Sequence, residues 1–214
     1  LSADGKRLVT AGLEGLRLWS LPEGKPEPLA GAIDSSGPVV LSANGTLLVA
    51  AKRLGGLALW DLGARTPPRE VGRAHVSAMA LHGDLLLCGE DGSLVVRDAR
   101  TGAVRATHAG HKGKLYGLAV SADGRRAATA DSEGAARLWD LTAGKPLQAL
   151  EAGFPVFGAA LAPDGSAMAV AGRARQLKVW RAPAFGLEGG EPLHADGVRG
   201  LAFTPDGGTL LSGD

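Results

Sequence analysis

With 214 residues, 45% of them hydrophobic, the chain can bury a sizeable core as one domain. Its 23 Lys and Arg against 22 Asp and Glu leave a formal net charge of +1, too little to draw the whole molecule to nucleic acid or to an anionic membrane. One cysteine, Cys88, excludes a disulfide framework and a cysteine-rich metal site, and no apolar run approaches the ~20 residues a membrane helix requires.

The chain opens on a turn, SADG (Asp4, Gly5), followed by an apolar run and by GLRLWS with Trp19. After the proline-rich LPEGKPEPLAG comes a second turn, SANG (Asn44, Gly45), and GLALWD with Trp60. ARTPPREVG, LHGD (Gly83, Asp84) and GSLVVRDAR follow, and here Arg97 stands where a tryptophan is due, with Asp98 keeping the next acid. The second SADG (Asp123, Gly124) leads to AARLWD with Trp139, then APDG (Asp164, Gly165) to QLKVWR with Trp180, and TPDG (Asp206, Gly207) comes last. Trp19 to Trp60 and Trp139 to Trp180 are each 41 residues, and the gap of 79 between Trp60 and Trp139 holds the Arg97 copy. Two markers in phase at about 40 residues define a repeat whose length suits one four-stranded propeller blade.

Residues 111–150 make one copy: LYGLAV, RRAATA, ARLWD and PLQAL are strand-type segments, and the Asp-Gly between the first two supplies the positive φ of a tight hairpin. Four strands of about five residues form an antiparallel sheet too small to hide its own faces, so neighbouring copies must stack. Tryptophan is then the wedge between sheets, burying on the order of 150–250 Å². The prolines between copies protect against edge pairing of strands.

Gly110-His111, then SADG, then Leu138-Trp139-Asp140 resemble the WD-repeat family of β-propellers, and the resemblance runs the length of the chain. It implies an all-β fold: a β-propeller of four-stranded antiparallel blades, about five full repeats plus a partial blade, with residues 1–214 forming one propeller segment of a larger ring. The same first hairpin occurs at both ends, so a further repeat is expected to flank the segment. The resemblance also implies a buried hydrogen-bonded chain of His111, Thr129, Glu133 and Trp139, in which Asp131 competes with Glu133 to be the acid. Ala32 and Ala152 replace the histidine in two copies, His75 falls beside the slot, and His194 restores the pattern in the last. Packing around Trp19, Trp60 and Trp180 is expected to hold those blades, with Arg97 a tolerated substitute that costs less to remove than Trp139. The repeats are degenerate, and high Gly, Ala, Leu and Arg points to a bacterial source.

No catalytic, metal or cofactor-binding residue is expected. His108 and His111 are spaced for a helix but enter a strand; Asp and Glu beside glycine in GEDGS and DSEG are ordinary turn chemistry; no phosphate-binding loop or GxSxG elbow occurs. Cys88 reads as a small buried apolar residue.

The reading is therefore a non-catalytic protein–protein interaction scaffold that uses the propeller rim. The candidate rim residues are Arg53, Glu90, Asp91, Lys112, Lys114, Tyr116, Glu133, Arg173, Arg175 and Asp196. Their charges sort by copy, basic at Lys52, Arg53, Arg173 and Arg175 and acidic at Glu90, Asp91, Asp131 and Glu133, which would orient a complementary partner. Partners are other proteins or peptides, with no nucleic acid and no membrane. The alternative is an accessory propeller of a larger bacterial enzyme, fused to a kinase or c-type haem domain that carries the chemistry. A cytoplasmic location is favoured, or a periplasmic one if a signal peptide precedes.

Overall fold

The turns set the frame. In four of the five xx(D/N)G turns the hydroxyl two residues before the acid or amide donates to its side chain: Ser2 to Asp4 (2.7 Å), Ser42 to Asn44 (2.7 Å), Ser121 to Asp123 (2.6 Å) and Thr204 to Asp206; in the fifth, Ala162 has no hydroxyl and Asp164 accepts from the Ser166 N–H (2.9 Å). The glycine that follows, at 5, 45, 124, 165 and 207, holds φ between 67° and 71°, a conformation that costs other residues a steric clash. These hairpins join the first and second strands of successive sheets.

The computed structural model describes residues 1–12, 15–31, 33–35, 37–173, 175–183, 185–188 and 194–214. All regular structure among them is β-strand. The first sheet has three strands, β1 (Arg7–Gly12), β2 (Gly15–Ser20) and β3 (Lys25–Glu27). The second has β4 (Val39–Leu41), β5 (Leu47–Ala51), β6 (Leu57–Asp61) and β7 (Arg69–Val71). The third has β8 (Val76–His82), β9 (Leu85–Glu90), β10 (Ser93–Asp98) and β11 (Val104–His108). The fourth has β12 (Leu115–Val120), β13 (Arg126–Asp131), β14 (Ala135–Asp140) and β15 (Lys145–Glu151). The fifth has β16 (Val156–Leu161), β17 (Ala167–Gly172), β18 (Leu177–Arg181) and β19 (Gly186–Glu188), and the sixth is a pair, β20 (Gly200–Phe203) and β21 (Leu210–Gly213). Each sheet is a meander in sequence order, and the second to fifth are the four-stranded antiparallel blade of the repeat.

The chain packs as two compact units, Leu1–Asp91 with Val96–Arg105, and Gly92–Val95 with Ala106–Asp214, so the division runs through the third sheet. In the first unit Trp60 sits with Leu48, Ala50 and Ala58, and Val9, Leu16 and Leu29 of the preceding repeat pack against that cluster. In the second unit Trp180 shares a core with Leu161, Met168 and Val170 of its own sheet and with Ala128, Ala130, Ala136 and Leu138 of the fourth. Small alanines on one face make room for the tryptophan on the next, which explains how so few aromatics fill the contacts. The turns interlock as well. Within the first unit Ala3 donates to the carbonyl of Ala43 (2.8 Å) and Arg7 to that of Gly45 (2.7 Å); within the second, Ala122 donates to Pro163 (2.7 Å) and Arg126 to Gly165 (3.0 Å).

The first strands of neighbouring sheets approach closely: β1 packs on β4 and β4 on β8 in one unit, β12 on β16 and β16 on β20 in the other. A Cβ on Gly117 would lie 2.6 Å from the Ala159 Cβ, so only glycine fits there.

Candidate functional site

The best-formed polar constellation lies in the fourth sheet. Alternation along β13 puts Thr129 and Asp131 on one face, β14 brings Trp139 beside them, and His111 enters from the loop ahead of β12. The indole N–H of Trp139 donates to Thr129 Oγ1 (2.8 Å), leaving the hydroxyl hydrogen free to donate to His111 Nε2 (2.7 Å). His111 Nδ1–H then donates to Asp131 Oδ2 (2.9 Å). The side chains of His111 and Asp131 are both fully buried. Burial holds His111 below its ordinary pKa, against the opposing pull of Asp131, which keeps the ring neutral. For Asp131 burial pushes upward, but the hydrogen bonds from His111 and from the backbone of Ala135 and Glu133 outweigh it and hold the carboxyl below the usual range. The acid is thus Asp131. Glu133 is exposed and contributes only its backbone N–H, 3.0 Å from Asp131 Oδ1, because it falls in the turn beyond the strand that aims Thr129 and Asp131 inward. His108, the other histidine of the pair, packs its ring on Trp139 with centroids 5.6 Å apart.

The other copies solve the same problem differently. Trp19 donates to Thr10 (2.9 Å), and Trp60, whose sheet has Ala50 in the threonine place, donates to the Ala30 carbonyl (2.8 Å). Val170 takes that place beside Trp180. His194 Nε2 lies 2.7 Å from Ser212 Oγ and its Nδ1 3.7 Å from Asp214, repeating the histidine, hydroxyl and acid of the fourth sheet. Ala32 lies outside the described residues; Ala152 is buried and His75 exposed.

Arg97 overturns the placement of Glu90 on the rim and bears on its own role as a substitute for tryptophan. Its guanidinium clamps Glu90 with two bonds (2.7 and 2.8 Å) and donates a third to the Gly102 carbonyl (2.8 Å). Glu90 pairs with Val76 as Asp131 pairs with Leu115, so it occupies the acid's place in the third sheet. Only 6% of it is exposed, and it is no part of a partner-binding rim. Arg97 is a working replacement for the tryptophan, since a guanidinium fills the wedge only if a carboxylate meets it. Cys88, in the threonine place, has its thiol pushed far up by burial and by the Glu90 charge, which leaves it unreactive.

The loop edge differs between the units. Among the first unit's candidates, Arg53 pairs with Asp34 (2.8 Å) and Lys52 with Glu70, while Asp91 is exposed in a left-handed turn with φ of 47°. With Glu90 and Asp131 buried, the expected sorting of charge by copy does not reach the surface as drawn. In the second unit each loop ahead of a first strand is tied to the neighbouring turn. Lys114 N–H reaches Ser132 Oγ (3.1 Å), Arg173 N–H reaches the Pro155 carbonyl (3.1 Å), and Asp196 N–H reaches Asp214 Oδ2 (3.3 Å). Lys112, Lys114, Glu133, Arg173, Arg175 and Asp196 are exposed along that edge. Among the described residues none of these four cations is paired with a carboxylate.

Two further residues belong with them. Pairing of β12 with β13 steps from Leu115 to Gly117, and that of β16 with β17 from Val156 to Gly158, so Tyr116 and Phe157 are bulged out of the ladder. Both are exposed, at 44% and 37%. Sequence reasoning found Tyr116 and missed Phe157 and Arg199. The signal was present as LYG, VFG and VRG at residues 115–117, 156–158 and 198–200: an apolar anchor, an outward residue and a glycine.

Residues 102–140 and 192–214 match the family described as WD domain, G-beta repeat. The first stretch carries His111, Thr129, Asp131 and Trp139. The chain is similar to cross-pathway control WD-repeat protein 2 of Flammulina velutipes, 38% identical over 69 residues, covering 32% of this chain and 22% of that one. It is also similar to serine-threonine kinase receptor-associated proteins: 27% identical over 131 residues in Mus musculus and 26% over 134 in Gallus gallus, each covering 61% of this chain and 37% of the relative. The aligned part thus spans well under half of these relatives. They are fungal and vertebrate, and give no support to a bacterial source or to a fused kinase or haem domain.

Proposed function

We propose that this chain is a non-catalytic interaction platform that holds a protein or peptide partner on the loop edge of its second unit. WD repeats in general mediate protein–protein contacts, and one of the relatives is named as a WD-repeat protein. The observation that carries the reading is a contrast in how ionisable groups are used. Those placed for chemistry, His111, Asp131, Glu90 and Arg97, are each engaged in buried bonds inside a sheet. Lys112, Lys114, Arg173 and Arg175 instead stand exposed on loops pinned by backbone hydrogen bonds. Loops held rigid by a sheet scaffold are where binding residues concentrate.

Arg175 strengthens the case. Its φ of 60° is left-handed, where Gly55, Gly92 and Gly134 stand in the corresponding turns of other sheets with φ of 96°, 76° and 94°. Arginine there costs about 1–2 kcal/mol of local strain, which a solvated surface residue has no reason to retain.

The test places a photo-crosslinking amino acid at Lys114 or Arg173, and separately at Arg125, which lies at the opposite end of β12. Exposure of the protein to an extract of its source cells should give defined protein adducts from the first two positions and not from Arg125. Equal labelling at all three would refute the assignment of the edge.

A further inference from the structure

The row of residues at the bulges carries more than a generic contact. Tyr116, Phe157 and Arg199 stand at corresponding positions of β12, β16 and the segment entering β20, each followed by glycine. Those glycines let the strands close up: a Cβ on Gly117 would lie 2.7 Å from the Ala159 nitrogen, and one on Gly158 would lie 3.3 Å from the Arg199 carbonyl oxygen. The three outward side chains therefore form a continuous line across neighbouring strands.

Cations flank that line. A Cβ on Gly197 would meet the Arg173 Cα at 3.5 Å and the Phe157 Cε2 at 3.6 Å, so the Phe157 ring edge lies beside the arginine-bearing turn. Lys114 precedes Tyr116 by two residues, and Arg199 is itself exposed. Among the described residues Lys112, Lys114, Arg173, Arg175 and Arg199 have no carboxylate within ion-pair distance, in contrast to Lys52, Arg53 and Arg7, which each have one, and Arg105, which has two. The acids on the same edge, among the described residues, include Glu133, Glu151, which pairs with Ala135 beside the Glu133 turn, Asp196 and Asp214, and Asp214 faces His194. The edge therefore carries five cations that are not ion-paired among the described residues, interspersed with these acids, beside two exposed aromatic rings.

Building on the platform reading, we infer that the Tyr116, Phe157 and Arg199 row holds an extended acidic peptide segment that also bears apolar side chains. The rings offer rigid apolar area at little entropic cost. Arg199 and Arg173 offer forked donors that take a carboxylate bidentately. Polyanionic nucleic acid fits less well, because acids interrupt the cations and the whole chain is nearly neutral.

Fluorescence anisotropy tests this with a labelled peptide of alternating Glu and Leu, compared with polyglutamate, an alternating Lys and Leu peptide and a single-stranded oligonucleotide. The Glu/Leu peptide should bind most tightly and weaken with salt. The double change Tyr116→Ala and Phe157→Ala should weaken it at least about tenfold, as should Arg199→Glu, whereas Arg125→Glu at the far end should not. All these side chains are exposed, so unchanged melting temperatures verify that the variants fold. Failure of the Glu/Leu peptide to bind, tighter binding of the oligonucleotide or the Lys/Leu peptide, or indifference to the aromatic pair would each overturn the inference. If crosslinking at Lys114 and Arg173 persists while the peptide fails, the partner chemistry is wrong and the platform stands; loss of the crosslinks removes the platform itself.

Discussion

Arg97→Ala is the sharpest test of how the third sheet is built. The substitution removes three donors at once and leaves the Glu90 carboxylate, 6% exposed, facing an empty wedge. Breaking a buried ion pair by deleting one partner costs about 3–5 kcal/mol, because the remaining charge stays desolvated. That equals the ~3–5 kcal/mol expected for Trp139→Ala, where sequence alone ranks Arg97 as the cheaper loss. The half-exposed pair Arg7 and Glu27 (2.9 Å) is a contrast: Arg7→Ala should cost about 0–1 kcal/mol in ion-pair energy. Urea unfolding followed by tryptophan fluorescence and circular dichroism gives the three values at constant slope. Adding Glu90→Leu to Arg97→Leu should recover much of the loss, since two apolar groups leave no buried charge. If Arg97→Ala falls within about 1 kcal/mol of the parent, or the double variant is worse than the single, the ion pair is not what closes this sheet.

Thr129→Val should cost about 1–3 kcal/mol in chemical denaturation, because it orphans the Trp139 N–H and removes the donor to His111, whereas Glu133→Gln should change nothing measurable. Acid should destabilise the fold in two windows. His111 has a folded pKa below the ordinary histidine value of 6.5, so the unfolded chain binds more protons and stability falls as pH drops from about 6.5 toward the folded value; Asp131, held below 3.8, adds a second loss beneath that. His111→Gln should erase the upper window in a pH series of urea midpoints, and an unchanged series would show that the ring is not buried neutral. Arg175→Gly should raise the melting temperature by relieving about 1 kcal/mol of strain while lowering partner capture. Arg173→Glu with Arg175→Glu should lower capture with melting unaltered.

The repeat was legible because its markers obey backbone rules that hold wherever the residue sits. A turn needs Asp or Asn then Gly at positive φ, and a wedge needs a large side chain at the end of a third strand, so Asp123, Gly124 and Trp139 announce themselves. The acid of the histidine network was not, since Asp131 and Glu133 differ only in which one ends β13, and strand ends are decided by pairing across the sheet. Glu90 was misplaced for a related reason: a turn-flanking glutamate looks exposed until Arg97 is recognised as its partner. Phe157 was missed because an apolar residue in a strand reads as core, and only the bulge between Val156 and Gly158 turns it outward.

These failures share one cause. Every sheet with a tryptophan must bury an indole with its N–H, and the partner found depends on what the second strand offers. Thr10 and Thr129 provide a hydroxyl, and Ala50 cannot, so Trp60 turns to the Ala30 carbonyl. The third sheet drops the indole and with it the need for threonine: Cys88 takes the hydroxyl's place, Glu90 lengthens the acid, and Arg97 spans the gap to it. Those three differences from the fourth sheet form one coupled change. Restoring tryptophan alone by Arg97→Trp would leave Glu90 buried without a counter-charge and the indole without an acceptor at Cys88, so it should destabilise the sheet even though it restores the repeat's most characteristic residue.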